Sequence, residues 1–347
     1  MKVLRQNRYY VKKTHPDYEL LLDHMRDSKA VYNFANFLVR QRYFRHNAIT
    51  FNEKFLDEFA NDPALQSDIR AYLDGDKMFP SLLKRIVCVF ACRFDCKINA
   101  KVVQNVVDKL HANWNSFFEL LKRKKNGDYD SKVHPPHYKK EAFNLVEYNP
   151  QVVSKTKLNN GFIGTATMKQ GILLRRLLPN ETVQAFRVYL KNERVLLEVV
   201  FAREIVDMPK ENGCDGQKIA SVDLGVDNLM TVAFNYERRP VVISGMEIKS
   251  LNRFFNKEKA KLQSALPNGV YSRKIRCLLG RRHDEIRNLF GRIANRFIAF
   301  LLREGVTKLI VGEAKGWKDA VELGHVNNQN FVHIPFGSLV KILQYKC

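Results

Sequence analysis

Between residues 17 and 125 apolar side chains recur with a helical period, and from about 144 to 207 the period falls to two. After 218 both patterns alternate. A face that repeats about every 3.6 residues is buried only by a helix, and one that repeats every second residue only by a strand. The order of the patterns therefore excludes an all-α or all-β chain. It predicts an α+β, multidomain protein.

The helical block opens at His15-Pro16-Asp17, a helix-start signature, and its apolar positions run through Val31, Phe34 and Leu38. PSLLKRIVCVFACRFDCKI is a second helix, and VVQNVVDKLHANWNSFFELLKRKK is the clearest. In the latter Val103, Val106, Val107, Leu110, Trp114, Phe117, Phe118 and Leu121 form one stripe, so Trp114 and the Phe pair read as core and not as base-stacking groups. The runs NLVEYN, GFIGTATM, GILLRRLL, QAFRVYLK and RVLLEVVFAREI are strands separated by Gly- and Asn-containing turns. Five such strands predict a small β-barrel, which the alternating N-terminal MKVLRQNRYYVKK can join. The expected organisation is a barrel from 1–16 and 126–207, a helical insertion at 17–125, a linker at 208–217 and a further domain at 218–347.

The charge narrows the partners. The chain carries 58 Lys and Arg against 36 Asp and Glu, a formal net charge of +22, which favours a polyanion and nucleic acid first. No apolar run approaches the ~20 residues of a membrane-spanning helix, and the N-terminus lacks the apolar stretch of a signal peptide. Cys88, Cys92, Cys96, Cys214, Cys277 and Cys347 include no C-x-x-C pair. A zinc site is therefore not expected in this chain, and free thiols in a cytoplasmic protein are. Two basic stretches are candidate nucleic-acid contacts. Lys122, Arg123, Lys124 and Lys125 end the third helix, where cations also suit the helix dipole. His137, Tyr138, Lys139 and Lys140 follow two prolines, and basic plus aromatic residues on a rigid loop suit a phosphate backbone.

The last domain opens with KIASVDLGVDNLMTVAF, two apolar strands around a turn, with Asp223 inside the first. A buried carboxylate there needs a metal, a cation or a catalytic task; the alternative is that it caps the strand end or the Gly225–Asn228 turn. A third strand (240–244), helical segments at 250–264 and 272–304 and the strand KLIVGEAKGW follow. Three strands, a helix and a fourth strand form the opening of an RNase H-like domain, with the fourth strand parallel to the first. That arrangement brings Glu313 near Asp223. Carboxylates at strand ends suit two Mg²⁺ ions roughly 3.5–4 Å apart, the geometry of phosphodiester hydrolysis. A third carboxylate is expected in such a site, and the only nearby candidates, Asp319 and Glu322, lie in a polar loop.

SVDLGVDNLMTVAF and KLIVGEAKGWKDAVELGHVNNQNFVHIPFGSLVKILQYK resemble the first and second RuvC motifs of the transposon-encoded TnpB (OrfB) proteins, relatives of compact type V CRISPR nucleases. SKAVYNFANFLVRQRYF, LHANWNSFFELLKRKK and PPHYKK also resemble that family's helical recognition part and its entry into the barrel. The resemblance implies an RNA-guided DNA endonuclease: a wedge-like barrel with a helical insert, then a RuvC domain, an incomplete one, with a helical insertion at 250–304. Guide RNA and double-stranded DNA are the implied partners. Asp223 and Glu313 are the implied catalytic acids and Mg²⁺ ligands. The family continues into zinc knuckles and a third acidic motif beyond the position of Cys347, and many members carry an acid where Gly312 stands. Impaired cleavage is therefore expected of this chain. Two alternatives remain: a nuclease-deficient guided DNA-binding protein, and an unguided basic accessory of transposition.

Overall fold

The computed structural model describes residues 2–46, 53–174, 181–204, 217–267, 270–312 and 334–347. The chain divides into two compact units, Met1–Asp207 and Met208–Cys347. Among the described residues no helix is long and apolar enough to cross a membrane.

The first unit begins with strand β1 (Lys2–Val11) and the long helix α1 (Tyr18–His46), then α2 (Pro63–Asp74), α3 (Ser81–Arg93) and α4 (Ala100–Lys125). Local chemistry sets the ends of these helices. The Asp62 carboxylate accepts from the Leu65 amide at 3.0 Å and Pro63 starts α2, while Asn99 accepts from the Lys101 amide at 2.7 Å to start α4. At the far end of α4, Gly127 takes a φ of +82° and the Asp128 amide reaches back to the Arg123 carbonyl at 2.9 Å. The expected stripe of α4 is buried: Val103, Val106, Val107, Leu110 and Trp114 lie in the core, where Trp114 donates to Asn36 at 3.1 Å.

Strands β2 (Val146–Tyr148), β5 (Glu181–Lys191) and β6 (Arg194–Glu204) join β1 in an antiparallel sheet of order β1-β6-β5-β2. The short helix α5 (Lys155–Asn159) precedes a separate two-stranded pair, β3 (Phe162–Ile163) with β4 (Ile172–Leu173). The N-terminal strand does join the sheet, but a closed barrel is not what the described residues form. GFIGTATM and GILLRRLL contribute only two paired residues each, because the chain between them is tied to α1 instead of to the sheet. The tie is Asp17. Its carboxylate is fully buried and accepts from the backbone amides of Lys169, Gln170 (3.0 Å) and Gly171 (2.8 Å). Gly171 has a φ of +80°, and a Cβ there would lie 2.8 Å from the Ile163 carbonyl oxygen, so only glycine fits.

A row of charges crosses the sheet. Arg8 of β1 bonds Glu198 of β6 at 2.7 Å, Arg187 of β5 lies 3.6 Å from Glu198 and 2.6 Å from Glu147 of β2, and Lys109 of α4 reaches Glu147 at 3.0 Å. Burial pushes the Glu147 carboxyl up, but hydrogen bonds from Lys109 and Arg187 outweigh it and hold it below the usual range. One continuous core spans the helices and the sheet, from Leu21, Met25 and Leu38 to Phe186, Val199 and Phe201.

In the second unit β7 (Ile219–Leu224), β8 (Asn228–Phe234) and β9 (Val241–Ser244) form a meander, followed by α6 (Met246–Gln263), α7 (Arg273–Glu304), β10 (Lys308–Val311) and α8 (Phe336–Lys346). The sheet order is β10-β7-β8-β9, and β10 runs parallel to β7 as the helical crossover requires. Ala220, Val222, Leu224, Met230 and Val232 pack against Ile286, Phe290 and Phe297 of α7 and Leu339, Val340 and Leu343 of α8. Gly245 closes the β9–α6 junction; a Cβ there would lie 2.2 Å from the Val226 carbonyl oxygen.

Replacing Asp17 with Ala strands three backbone amides, two of them part-buried and one buried. We expect a loss of about 3 kcal/mol or more in urea unfolding, with Asp17→Asn in between. His24 provides a second test. It is 2% exposed, and burial pushes its imidazole down to about 4. An unfolded histidine titrates near 6.5. The unfolded state therefore takes up the proton first as pH falls below ~6.5, and stability drops down to about pH 4 by on the order of 3 kcal/mol. His24→Gln should flatten the pH 6.5–5 part of the stability curve relative to wild type.

Candidate functional site

The HPPHYKK strap lies along α1. Asn36 and Arg40 both donate to the Pro136 carbonyl at 3.0 Å; Asn33 donates to the Lys139 carbonyl at 3.1 Å and accepts from the Lys139 amide at 2.7 Å. These bonds hold the strap's backbone on the helix and leave His137, Tyr138, Lys139 and Lys140 exposed. Tyr138 is also packed: the Arg40 guanidinium sits 5.4 Å from its ring, and burial of its hydroxyl end pushes its pKa up. The Lys139 ammonium lies 4.8 Å from the Tyr32 ring. Beside it a cleft of about 300 Å³ is lined by Tyr32, Lys109, Asn113, Lys139 and Asn144. Burial pulls the Lys109 ammonium down, against the Glu147 carboxylate that favours its charge.

Lys122, Arg123, Lys124 and Lys125 are exposed on the last turn of α4. None forms an ion pair with a carboxylate among the described residues; Lys124 reaches only the Ser131 carbonyl, at 3.5 Å. Tyr43 of α1 packs on Trp114, Phe117 and Phe118, so the C-terminal half of α4 lies against the C-terminal half of α1. The strap and the basic helix end thus share one helix pair. Exposed, unpaired cations next to pinned aromatics suit a sugar–phosphate backbone. The sequence pattern alone did not single out Asn33, Asn36, Arg40, Tyr32 or Lys109. One signal was available: Asn36 stands in the apolar stripe of a helix, where a buried amide must bond something.

The second candidate centre lies at the carboxyl ends of β7 and β10. Ala220, Val222 and Leu224 are buried, whereas Ser221 and Asp223 are exposed on the opposite face. The parity is as expected, but the premise of a buried carboxylate is not. Asp223 stands on the sheet face away from α7 and α8, which also exposes Ile310 and Val242, 47% and 54% respectively. The strand is half-covered, so alternation and not full burial governs it. Asp223 pairs across the ladder with Thr231, and its carboxylate has no hydrogen bond or ion pair among the described residues. The turn-capping alternative is not realised; the turn is closed by the Gly225 amide to the Leu229 carbonyl at 3.4 Å, and Asp227 pairs with Lys249.

The β10–β7 register runs to Val311 beside Val222, and the Gly312 amide continues it by donating to the Val222 carbonyl at 2.9 Å. Gly312 is thus the position level with Asp223, and a Cβ there meets nothing nearer than 3.5 Å. Glu313, Asp319 and Glu322 lie outside the described residues, which hold no group of three metal-ligating side chains. An exposed carboxylate with no internal cation is a fit ligand for a hard, hydrated ion such as Mg²⁺, but it is one ligand of the several such an ion takes.

Residues 201–318 match the sequence model of the OrfB_IS605 family, described as "Probable transposase". The resemblance to TnpB (OrfB) proteins therefore holds over the segment that carries β7 through β10. Among solved structures, the chain is similar to the "Cryo-EM structure of the Cas12f1-sgRNA-target DNA complex", with 11% identity, a TM-score of 0.47, and coverage of 94% of this chain and 70% of that one. It is also similar to the "Cryo-EM structure of CRISPR-Cas12f Ternary Complex", with 13% identity, a TM-score of 0.31, and coverage of 94% and 69%. No curated protein matches the chain.

Replacing Lys122, Arg123, Lys124 and Lys125 together by Ala should weaken nucleic-acid binding and leave the fold intact. Each phosphate that is no longer neutralised should lower the slope of log K against log salt by roughly 0.7–0.9. An unchanged slope in fluorescence anisotropy between ~50 and ~200 mM salt would show a solvated helix end.

Proposed function

We propose that this chain acts in RNA-guided DNA recognition and that its second unit is a RuvC-type, RNase H-like nuclease centre built on Asp223. One observation carries the reading. Within the segment that matches the OrfB_IS605 family, a carboxylate free of internal partners stands at the carboxyl end of a central strand, beside the end of its parallel neighbour. Ligands of open α/β sheets bind outside the carboxyl ends of parallel strands. In this reading the helix pair α1/α4 with its strap grips the backbone of a guide RNA, and base pairing by the guide reads the DNA. A net charge of +22 suits a protein that holds two polyanions.

Asp223, with Glu313 by the family's pattern, would hold the Mg²⁺. The ions would supply neutralisation of charge on the attacking and leaving oxygens of a phosphodiester. The chain's own part is rigidity. Val222 and Leu224, each 3% exposed, lock β7 into the core on either side of Asp223 and fix the direction of its carboxylate. The neighbouring Ser221 hydroxyl points to the Ala233 carbonyl at 3.5 Å and leaves that carboxylate uncontested.

The test has two arms. At ~150 mM salt the purified chain should prefer structured RNA to random duplex DNA of equal length; equal affinity favours the unguided accessory. With the co-purified RNA, millimolar Mg²⁺ should raise the melting temperature of wild type but not of Asp223→Asn, which should bind RNA equally well. A large loss of melting temperature in Asp223→Asn that Mg²⁺ does not influence would make Asp223 structural. Guided binding without Mg²⁺-dependent cleavage would place the chain with the nuclease-deficient alternative.

A further inference from the structure

A cavity of about 360 Å³ opens in the first unit, away from the α1/α4 strap, and its floor holds an unpaired donor. His24 and Tyr148 line it, 2% and 1% exposed. The His24 Nδ1 and the Tyr148 hydroxyl are 2.6 Å apart. Burial keeps the tyrosine protonated and the histidine neutral at pH 7, so the hydroxyl donates and Nδ1 accepts. The ring proton then sits on Nε2. That nitrogen is buried and has no hydrogen-bond partner; the Lys97 backbone lies near the ring but does not close a bond to it. A buried N–H without an acceptor is costly, and such an exception points to a missing partner.

The rest of the lining also donates. The Ser154 oxygen accepts from the Lys157 amide at 3.4 Å, which leaves its proton free. Thr165 and Thr167 hydroxyls lie 2.9 Å apart, so one bonds the other and one proton remains to give. Lys101, exposed at the rim, adds a positive charge on the first turn of α4, whose free amides favour an anion. No carboxylate lines the cavity. A site of donors around one ammonium offers nothing to a cation and much to an oxyanion. Its size is at the small end of ligand cavities and admits a phosphate with its attached sugar.

We infer that this cavity binds a phosphate group, with His24 Nε2–H donating to a phosphate oxygen at its floor and Lys101 closing it at the rim. The phosphate is either part of a bound nucleic acid, which rests on the function proposed above, or free inorganic phosphate, which does not.

The experiment follows the His24 ring by NMR in the full chain with ¹³C-labelled histidine. The probes are inorganic phosphate and a short RNA bearing either a 5′-phosphate or a 5′-hydroxyl, with RNA binding measured separately by anisotropy. We expect a saturable His24 shift that Lys101→Ala, a surface change, weakens at least ten-fold. A shift with inorganic phosphate assigns a free-phosphate site, and one seen only with RNA assigns a nucleic-acid phosphate; loss of the latter with the 5′-hydroxyl RNA marks a terminal phosphate. If RNA binds and His24 responds to neither probe, the inference fails and the proposed function stands. If RNA does not bind at all, that function fails, and the inorganic phosphate arm alone decides the cavity: a shift supports it and none overturns it. A shift that Lys101→Ala leaves unchanged also overturns the inference.

Discussion

Glu198 is 5% exposed in the middle of a sheet, and a charge so placed must be paired. Arg8 and Arg187 reach it from the strands on either side, and Arg187 passes the constraint on to Glu147 and so to Lys109. Each link is a directly opposed cross-strand pair, Arg8 to Glu198, Arg187 to Glu198 and Glu147 to Arg187. A slip of one residue in any strand would turn its charge to the other face and leave a partner buried and alone. The row therefore sets the register of four strands and the seat of α4 together. Because α4 also carries the basic helix end, the polar row positions part of the nucleic-acid surface.

Asp17 does for the loops what the row does for the sheet. It commits its carboxylate to three backbone amides more than 150 residues away in sequence and thereby orders the turn between β3 and β4 against the start of α1. That turn includes Thr165 and Thr167, two walls of the cavity above His24. The two buried acids explain why a chain so rich in cations has a stable first unit: its few buried carboxylates are each surrounded by donors.

The second unit follows a simpler rule. Its sheet is covered on one face by α7 and α8, and the opposite face presents Ser221, Asp223, Ile310 and Val242 to solvent. The apolar alternation of β7 is the expression of that one-sidedness. An acid in such a strand costs little, since it points to water, and it remains available for a ligand.

Much of this was legible in the sequence. The period of the apolar residues marked α1, α3 and α4, the core role of Trp114, the β7–β9 meander and the parallel return of β10, because each depends on local pattern and on the handedness of a crossover. The parity of Asp223 was legible for the same reason. What the sequence could not show was which face of β7 is covered, since a half-buried strand and a fully buried one share their apolar residues; the exposure of Asp223 was decided by α7 and α8. Nor could it show that the runs around 161–178 would be drawn to Asp17 instead of closing a barrel, or that Asn33, Asn36 and Arg40 would hold the HPPHYKK strap. Those outcomes rest on hydrogen bonds between residues about a hundred or more positions apart, and only the tertiary structure brings such groups within 3 Å of one another.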